Sequence, residues 1–228
     1  MSDIGSNIAA VRNRIAAACA AADRPRDAVR LLAVSKTFGP DAVADALAAG
    51  QSEFGENYVQ EAVAKISQVP RKGVVWHYVG PIQSNKTRDI AEAFDWVQGI
   101  DRSKIAQRLS DQRPASLAPL QVCVQVNISG EASKSGCAPD AAPALCEAIA
   151  TMPRLKLRGL MAIPAPASIE DPRAAYARLR ELFESLQRSG LQLDTLSAGM
   201  SDDLEAAIAQ GSTLVRIGTA IFGTRKKT

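Results

Sequence analysis

Lys36 is the residue of this sequence best suited to chemistry, because it ends an otherwise apolar run. The segment from Val29 to Lys36, VRLLAVSK, has the pattern of a buried strand. At the carboxyl end of such a strand the amine lies in a partly desolvated place. Desolvation favours the neutral amine, whose lone pair can attack an aldehyde. A lysine that merely extends to solvent from a strand end explains the position equally well.

A second set of residues is suited to binding an anion. The turn SAGMSDD (Ser197 to Asp203) precedes a predicted helix, whose N–H groups and dipole attract anions, and the Ser201 hydroxyl can donate to a phosphate oxygen. In the segment from Arg216 to Thr219, Gly218 allows the backbone to approach the same anion closely. The alternative is that Ser201 serves only as a helix N-cap.

Arg216 alternates with apolar neighbours and can point into the core beside Gly218, since both lie on one face of the predicted strand. A buried guanidinium needs a partner. A pyridine nitrogen in a ligand would serve as an acceptor, because arginine stays protonated. A structural ion pair with a neighbouring carboxylate is the other explanation.

These residues are positioned by eight predicted strands that alternate with helical segments. The strands are Val29 to Lys36, Ser52 to Asn57, Val74 to Gly80, Phe94 to Ile100, Leu120 to Ile128, Leu155 to Ile163, Leu193 to Gly199 and Thr213 to Gly223. Strands that alternate with helices indicate right-handed β-α-β crossovers and a parallel sheet. The sequence therefore predicts an α/β fold, a single (β/α)8 TIM barrel domain over residues 1–228, rather than a doubly wound open sheet.

Several helices carry recognisable start and stop signals. An alanine-rich helix from about Asn7 to Ala22 precedes the first strand. Helices are predicted to open at Pro40-Asp41, Asp171-Pro172 and Ser201-Asp202-Asp203, and to end at Gly50, Gly190 and Gly211 respectively. The Pro-rich stretch that starts at Ile163 reads as a β-α loop after the sixth strand.

Composition excludes several classes of protein. The net charge of +3 is spread along the chain, the only compact basic cluster is Arg225-Lys226-Lys227, and aromatic residues are 4%, so no nucleic-acid partner is expected. No apolar run is long enough to span a membrane, so no membrane partner is expected. No pair among Cys19, Cys123, Cys137 and Cys146 has C-x-x-C spacing, and His77 is the single histidine, so no metal site is expected. Because the N-terminal segment lacks the pattern of a secretory signal, we expect a reducing cytoplasm.

Seven segments in order resemble the pyridoxal phosphate homeostasis protein family, whose members are related to the N-terminal barrel domain of alanine racemase. The segments are AVSKT (Ala33 to Thr37), FGENYVQE (Phe54 to Glu61), WHYVGPIQSNK (Trp76 to Lys86), VNISGEASKSG (around Asn127), RGLMAI (Arg158 to Ile163), LSAGMSDDLEAAI (Leu196 to Ile208) and GSTLVRIGTAIFG (Gly211 to Gly223). The similarity runs from about Leu31 to Arg225. One departure is Ala198, where the family often has methionine.

The resemblance implies the cofactor pyridoxal 5'-phosphate (PLP) and assigns each site residue a role. It makes Lys36 the lysine that holds PLP as a Schiff base. It places Ser201, Gly218 and Thr219 at the phosphate and Arg216 at the pyridine nitrogen. Asn57 and His77, at the ends of the second and third strands, are expected near the ring, although a turn residue and a core histidine explain them as well.

The function implied is PLP homeostasis, as a carrier or buffer that hands PLP to apo-enzymes, rather than rapid catalysis. The related racemases carry a further β domain that supplies a catalytic tyrosine and part of a dimer interface, so we expect a non-enzymatic monomer. A weak PLP-dependent amino-acid racemase is the alternative. A barrel that uses Lys36 in an aldolase-type Schiff base without PLP is a third possibility.

The loop from Gly130 to Gly136 contains Lys134, a second lysine that could assist cofactor entry or transfer. A solvated flexible loop explains this composition equally well.

Overall fold

The computed structural model describes residues 3–131, 134–165 and 171–224. The predicted basic cluster at Arg225-Lys226-Lys227 lies outside these ranges, as do the centre of the Lys134 loop and the end of the Pro-rich loop after Ile163.

Eight strands alternate with helices along the described residues. The strands are β1 (Arg30–Val34), β2 (Glu53–Glu56), β3 (Val75–Tyr78), β4 (Trp96–Ile100), β5 (Leu120–Gln125), β6 (Leu155–Met161), β7 (Thr195–Ser197) and β8 (Leu214–Ile217). The helices are α1 (Ile4–Ala21), α2 (Pro40–Ala48), α3 (Val59–Ile66), α4 (Thr87–Ala93), α5 (Ser103–Gln112), α6 (Ala142–Ala150), α7 (Pro172–Arg188), α8 (Leu204–Ala209) and α9 (Thr219–Phe222). Each observed strand lies within the range predicted for it.

The strands form a closed parallel barrel in the order β1 to β8. The barrel closes between its first and last strands, where Leu32 pairs with Arg216 and Ala33 with Ile217. The predicted (β/α)8 barrel is therefore confirmed. Closure brings the residues that follow β1 next to those that follow β8, so that Lys36 and Gly218 meet at one rim.

Helix α1 covers one side of the barrel beside α2, α8 and α9. Its buried residues Ile8, Val11, Ile15 and Cys19 recur every three or four positions, which gives the helix one apolar face. The Asp3 carboxylate caps its first turn by accepting a hydrogen bond from the N–H of Gly5 at 3.0 Å. Among the described residues no helix is both long and apolar enough to cross a membrane.

The prediction of one strand from Thr213 to Gly223 was wrong in its second half. The chain leaves the barrel at Gly218 and forms the short helix α9. The helical turn lets Ile221 and Phe222 fold back onto apolar neighbours, and the Phe222 ring lies 5.2 Å from that of Phe38. A continued strand would have carried these apolar side chains past the rim into solvent.

The helix predicted to open at Ser201 begins three residues later. Residues 201–203 form turns, and Asp203 is the N-cap of α8. The Asp203 carboxylate accepts a hydrogen bond from the backbone N–H of Met200 at 2.6 Å, so it closes the turn that contains Ser201. Ser201 is therefore not a helix N-cap.

Candidate functional site

A cavity of about 510 Å³ opens at the carboxyl ends of the barrel strands. Its lining comes mainly from the ends of β1 and β8 and from residues that follow β1, β2, β3, β6, β7 and β8, which is where parallel barrels carry their active sites. Six of the seven predicted site residues line it, namely Lys36, Asn57, Ser201, Arg216, Gly218 and Thr219. Arg14 of α1 also lines it, which no sequence pattern indicated.

Lys36 lies two residues beyond β1 and is half-buried. The next residue, Thr37, has a φ of +69°, a left-handed conformation that a β-branched residue rarely adopts. The backbone N–H of Thr37 donates to Glu61 Oε1 of α3 at 2.6 Å, which holds this conformation. The backbone around Lys36 is thus fixed by helix α3, and such local strain is characteristic of functional sites.

Beneath this turn lies a buried ion cluster centred on Lys65 of α3, whose side chain is 3% exposed. The Lys65 ammonium lies 2.6 Å from Glu56 Oε1 and 3.1 Å from Glu61 Oε1, and it donates to the carbonyl oxygen of Ser35 at 2.8 Å. The Ser35 hydroxyl donates to Glu56 at 2.6 Å. Burial raises the pKa of the Glu56 carboxyl, while Lys65 and Ser35 oppose that rise. The cluster joins α3 and β2 to the backbone that carries Lys36.

Arg216 points from β8 into the barrel and is 5% exposed. Its Nη1 donates to Ser197 Oγ at 2.7 Å and its Nη2 donates to the carbonyl oxygen of Ala162 at 2.9 Å. Burial lowers the pKa of the Arg216 guanidinium, and the groups of Tyr176 and Asp203 act against that shift. Since arginine stays protonated even so, the cavity is provided with a fixed cation.

Asp203 shapes the turn that presents Ser201. Its second carboxylate oxygen accepts a hydrogen bond from the Tyr176 hydroxyl of α7 at 2.8 Å. Arg14 of α1 donates to the backbone carbonyl of Ser201 at 3.0 Å and pairs with Glu205 at 2.9 Å. Helices α1 and α7 therefore both hold this turn against the rim of the cavity.

Two further features of the lining bear on ligand binding. A Cβ added at Gly218 would lie 3.2 Å from the carbonyl oxygen of Val34, so a side chain there would crowd the rim between β8 and β1. The Oδ1 atom of Asn57 is buried and has no hydrogen-bond partner among the described residues. A buried acceptor of this kind is costly unless a ligand donates to it.

His77 does not line the cavity. It is fully buried within β3, where its ring stacks on Trp96 at 5.1 Å between centroids. Its Nδ1 lies 2.9 Å from Gln98 Nε2, and its Nε2 lies 3.2 Å from Glu53 Oε2. The structure thus places His77 in the barrel interior rather than at the cavity, and hydrogen bonds through Gln98 and Ser197 connect it to Arg216.

Sequence reasoning missed Gln98 and Ser197, which connect His77 to Arg216. Each is a polar residue inside a predicted apolar strand, and that is the signal by which both could have been found. Asp203 and Tyr176 gave no comparable signal, because one resembled a helix cap and the other a core aromatic. Lys134 lies outside the cavity lining that the described residues form.

The family model of the alanine racemase N-terminal domain matches residues 6–226. A pyridoxal phosphate homeostasis protein of Pseudomonas aeruginosa is 61% identical over 226 residues, which cover 99% of this chain and 97% of the relative. The protein of the same name from Escherichia coli K12 is 54% identical over 229 residues, which cover 99% of this chain and 98% of the relative.

Solved structures show the same fold. PipY of Synechococcus elongatus, solved with PLP bound, is 33% identical with a TM-score of 0.82, over 96% of this chain and 100% of that chain. Alanine racemase of Corynebacterium glutamicum is 15% identical with a TM-score of 0.73. The match spans 60% of the racemase chain, and at 15% identity it shows only that the two proteins share the barrel fold.

Proposed function

Because this chain belongs to the pyridoxal phosphate homeostasis proteins, within the alanine racemase N-terminal domain family, we propose that it binds PLP as a Schiff base on Lys36. We further propose that it acts as a carrier or buffer in PLP homeostasis. The observation that carries the proposal is the meeting of Lys36 and Arg216 in one cavity. The names of the relatives and the PLP-bound PipY structure support the choice of ligand.

PLP supplies an aldehyde that condenses with an amine, a phosphate that needs hydrogen-bond donors, and a pyridine nitrogen. Lys36 would provide the amine. Ser201 and Thr219 would donate to the phosphate, and the open rim at Gly218 would let the backbone N–H groups approach it. The orphan Oδ1 of Asn57 would accept a hydrogen bond from a hydroxyl of the ring.

Arg216 is the residue that favours holding the cofactor over catalysis. A guanidinium at the pyridine nitrogen would keep that nitrogen unprotonated, because arginine is a permanent donor. An unprotonated ring withdraws electrons weakly, so the stabilisation of a substrate carbanion is poor. We therefore propose a non-enzymatic role, in which bound PLP passes to apo-enzymes, for a single domain that acts as a monomer.

The decisive experiment is the visible absorption spectrum of the protein with added PLP, before and after borohydride, for the natural chain and for Lys36→Ala. The natural chain should show an imine band and then a covalent adduct, and Lys36→Ala should show neither. Lys104→Ala is the matched control, because Lys104 is an exposed lysine of α5 and should leave the band unchanged. A band of equal strength in Lys36→Ala would refute the assignment.

Two further measurements address the role. The PLP-loaded chain should restore the activity of an apo-enzyme that requires PLP, and failure to transfer would remove the carrier proposal. Incubation with L-amino acids in deuterium oxide should give no more Cα exchange than free PLP gives. Exchange above that background would establish the racemase alternative instead.

A further inference from the structure

A line of buried polar side chains crosses the barrel interior, from the cavity toward the opposite end. Arg216 Nη1 lies 2.7 Å from Ser197 Oγ, which lies 2.6 Å from Gln98 Oε1. Gln98 Nε2 lies 2.9 Å from His77 Nδ1. The side chains of Ser197, Gln98 and His77 are all 0% exposed. Four strands, β8, β7, β4 and β3, each contribute one member.

The direction of each hydrogen bond follows from Arg216. A guanidinium only donates, so Ser197 Oγ accepts from it and uses its own proton toward Gln98 Oε1. The amide nitrogen of Gln98 therefore faces His77, and since that nitrogen also only donates, His77 Nδ1 must be the acceptor. His77 is thus neutral, with its proton on Nε2.

Beyond the far end of the line lies Glu53 of β2. His77 Nε2 lies 3.2 Å from Glu53 Oε2, but this contact lacks the geometry of a hydrogen bond, so the carboxylate acts on the imidazole through its charge. The other charged groups that act on His77 are Arg30 of β1 and Asp95, which precedes β4. Burial lowers the pKa of His77, against the opposing influence of Glu53. The three hydrogen bonds of the line consequently run the same way, from the Arg216 cation to His77 Nδ1, and the Glu53 anion lies beyond its end.

A different proton arrangement on His77 would disturb the whole line. A proton on Nδ1 would place two donors, this N–H and the amide N–H of Gln98, against each other. The Gln98 amide would then have to rotate by about 180° to present its oxygen to His77. Ser197 Oγ would then face two donors, Gln98 and Arg216, and its own proton would lose its acceptor. Because unsatisfied buried polar groups are costly, the neutral Nε2-protonated imidazole and the present orientation of Arg216 require each other.

We propose that Gln98, oriented by His77, is a positioning residue that fixes the guanidinium of Arg216 through Ser197 and so aims its remaining N–H groups at the pyridine ring of bound PLP. This inference rests on the proposed function. The recorded bonds of Arg216 support it, because Ser197 and the carbonyl of Ala162 hold two edges of the guanidinium and define its plane.

The first test needs no cofactor. His77 is the single histidine, so a chain labelled with 15N-histidine gives one pair of ring nitrogen signals. We expect the natural chain at pH 7 to show the neutral tautomer with the proton on Nε2. In Ser197→Ala the amide of Gln98 is no longer held, and a mixture of tautomers should appear. An Nδ1-protonated or charged ring in the natural chain would overturn the proposal.

Ser212→Ala is the matched control for loss of a buried hydroxyl. Ser212 is 1% exposed, and its hydroxyl bonds only to backbone carbonyl oxygens, those of Leu196, Ala198 and Leu214. It lies between the same two strands, yet touches neither Gln98 nor Arg216 in these bonds. The His77 signals of Ser212→Ala should match those of the natural chain, whereas a general loosening of the barrel would shift them in both variants.

The second test titrates the same chains with PLP. Ser197→Ala and Gln98→Leu should each raise the Kd for PLP roughly tenfold, the scale of one hydrogen bond to a charged group, and shift the pH midpoint of the visible band. Ser212→Ala should do neither. If Gln98→Leu folds poorly, Ser197→Ala still decides the question, because it removes a single oxygen atom.

The outcomes separate the two proposals. If the natural chain shows no PLP band, the proposed function fails, while the tautomer measurement still shows whether the line exists. If the natural chain binds PLP, and Ser197→Ala and Gln98→Leu bind it with the same Kd and band midpoint, the positioning role of Gln98 is refuted and PLP binding stands.

Discussion

The ammonium group of Lys65 lies 2.8 Å from the carbonyl oxygen of Ser35, the residue that precedes Lys36. This bond ties helix α3 to the carboxyl end of β1. The same ammonium neutralises the buried carboxylate of Glu56, so one side chain both balances a charge and holds the backbone of the candidate Schiff-base lysine. The geometry at Lys36 therefore depends on a residue that does not line the cavity.

Replacement of Lys65 by methionine should destabilise the fold strongly, because it leaves Glu56 buried without its counterion. Removal of one partner from a buried pair costs about 3–5 kcal/mol. Urea unfolding should show this loss, and the double variant Lys65→Met/Glu56→Gln should recover a large part of it. Lys104→Met on the exposed face of α5 is the control. Equal losses in the single and double variants would show that Glu56 is not the cause.

Replacement of Glu61 by alanine should loosen the turn at Thr37, since Glu61 Oε1 accepts the backbone N–H of that strained residue. We expect a loss of about 1–2 kcal/mol in the free energy of unfolding and slower formation of the borohydride-trapped adduct on Lys36. Glu92→Ala, which removes an exposed partner of Arg88 on α4, should change neither quantity appreciably. An unchanged adduct rate in Glu61→Ala would show that the turn does not control Lys36.

Replacement of Gly80 by alanine should displace Asn57. A Cβ at Gly80 would lie 2.4 Å from the backbone oxygen of Asn57 and 3.0 Å from its Cα, distances too short for the present backbone. The Kd for PLP should rise at least several-fold. Gly39→Ala is the control, because a Cβ there meets nothing within 4 Å. Unaltered binding by Gly80→Ala would mean that Asn57 makes no contribution to the affinity.

The pH dependence of stability should report the burial of His77. Since burial lowers its pKa, the folded state binds fewer protons than the unfolded state below the ordinary value of 6.5. The free energy of unfolding should therefore fall as the pH drops from 7 to 5, with a slope that approaches about 1.4 kcal/mol per pH unit.

His77→Gln should flatten that slope, because no other histidine titrates in this range. Burial alone would raise the pKa of the Glu53 carboxyl, but the opposing effects of His77 and Arg30 are larger, so its net pKa is lowered. This carboxylate therefore loses its stabilising contribution only at a pH below this range. Glu56 has a raised pKa, so its protonation should make the free energy of unfolding rise as the pH drops. Because Glu56 is present in both chains, subtracting the slope of His77→Gln from that of the natural chain removes this effect. A slope shared by the natural chain and His77→Gln would contradict the assignment.

The barrel, and the meeting of six of the predicted residues in one cavity, could be predicted because both depend on patterns along single strands. Strand and helix alternation specified the fold, and the alternation around Arg216 placed that side chain inside. The end of β8 could not be predicted, since the apolar run continues through Phe222 and only closure of the barrel shows where the rim lies.

The partners of His77 could not be predicted for a related reason. His77, Gln98 and Ser197 belong to three different strands, and their contact depends on which residues face each other across the barrel interior. The sequence shows that each is polar within an apolar segment, but not that they touch. Ser201 was expected at a helix terminus, but Asp203 closes a turn around it and the helix begins only at Leu204.

Closure of the barrel between β1 and β8 has a consequence for the order of events during synthesis. Lys36 follows the first strand, whereas Arg216 lies on the last one, and the two meet only across this seam. A growing chain therefore carries Lys36 long before it can offer the Arg216 cation and the rim that is proposed to bind the phosphate. Capture of the cofactor should mark the completed barrel, and a bound molecule that contacts both edges should hold the seam shut against unfolding.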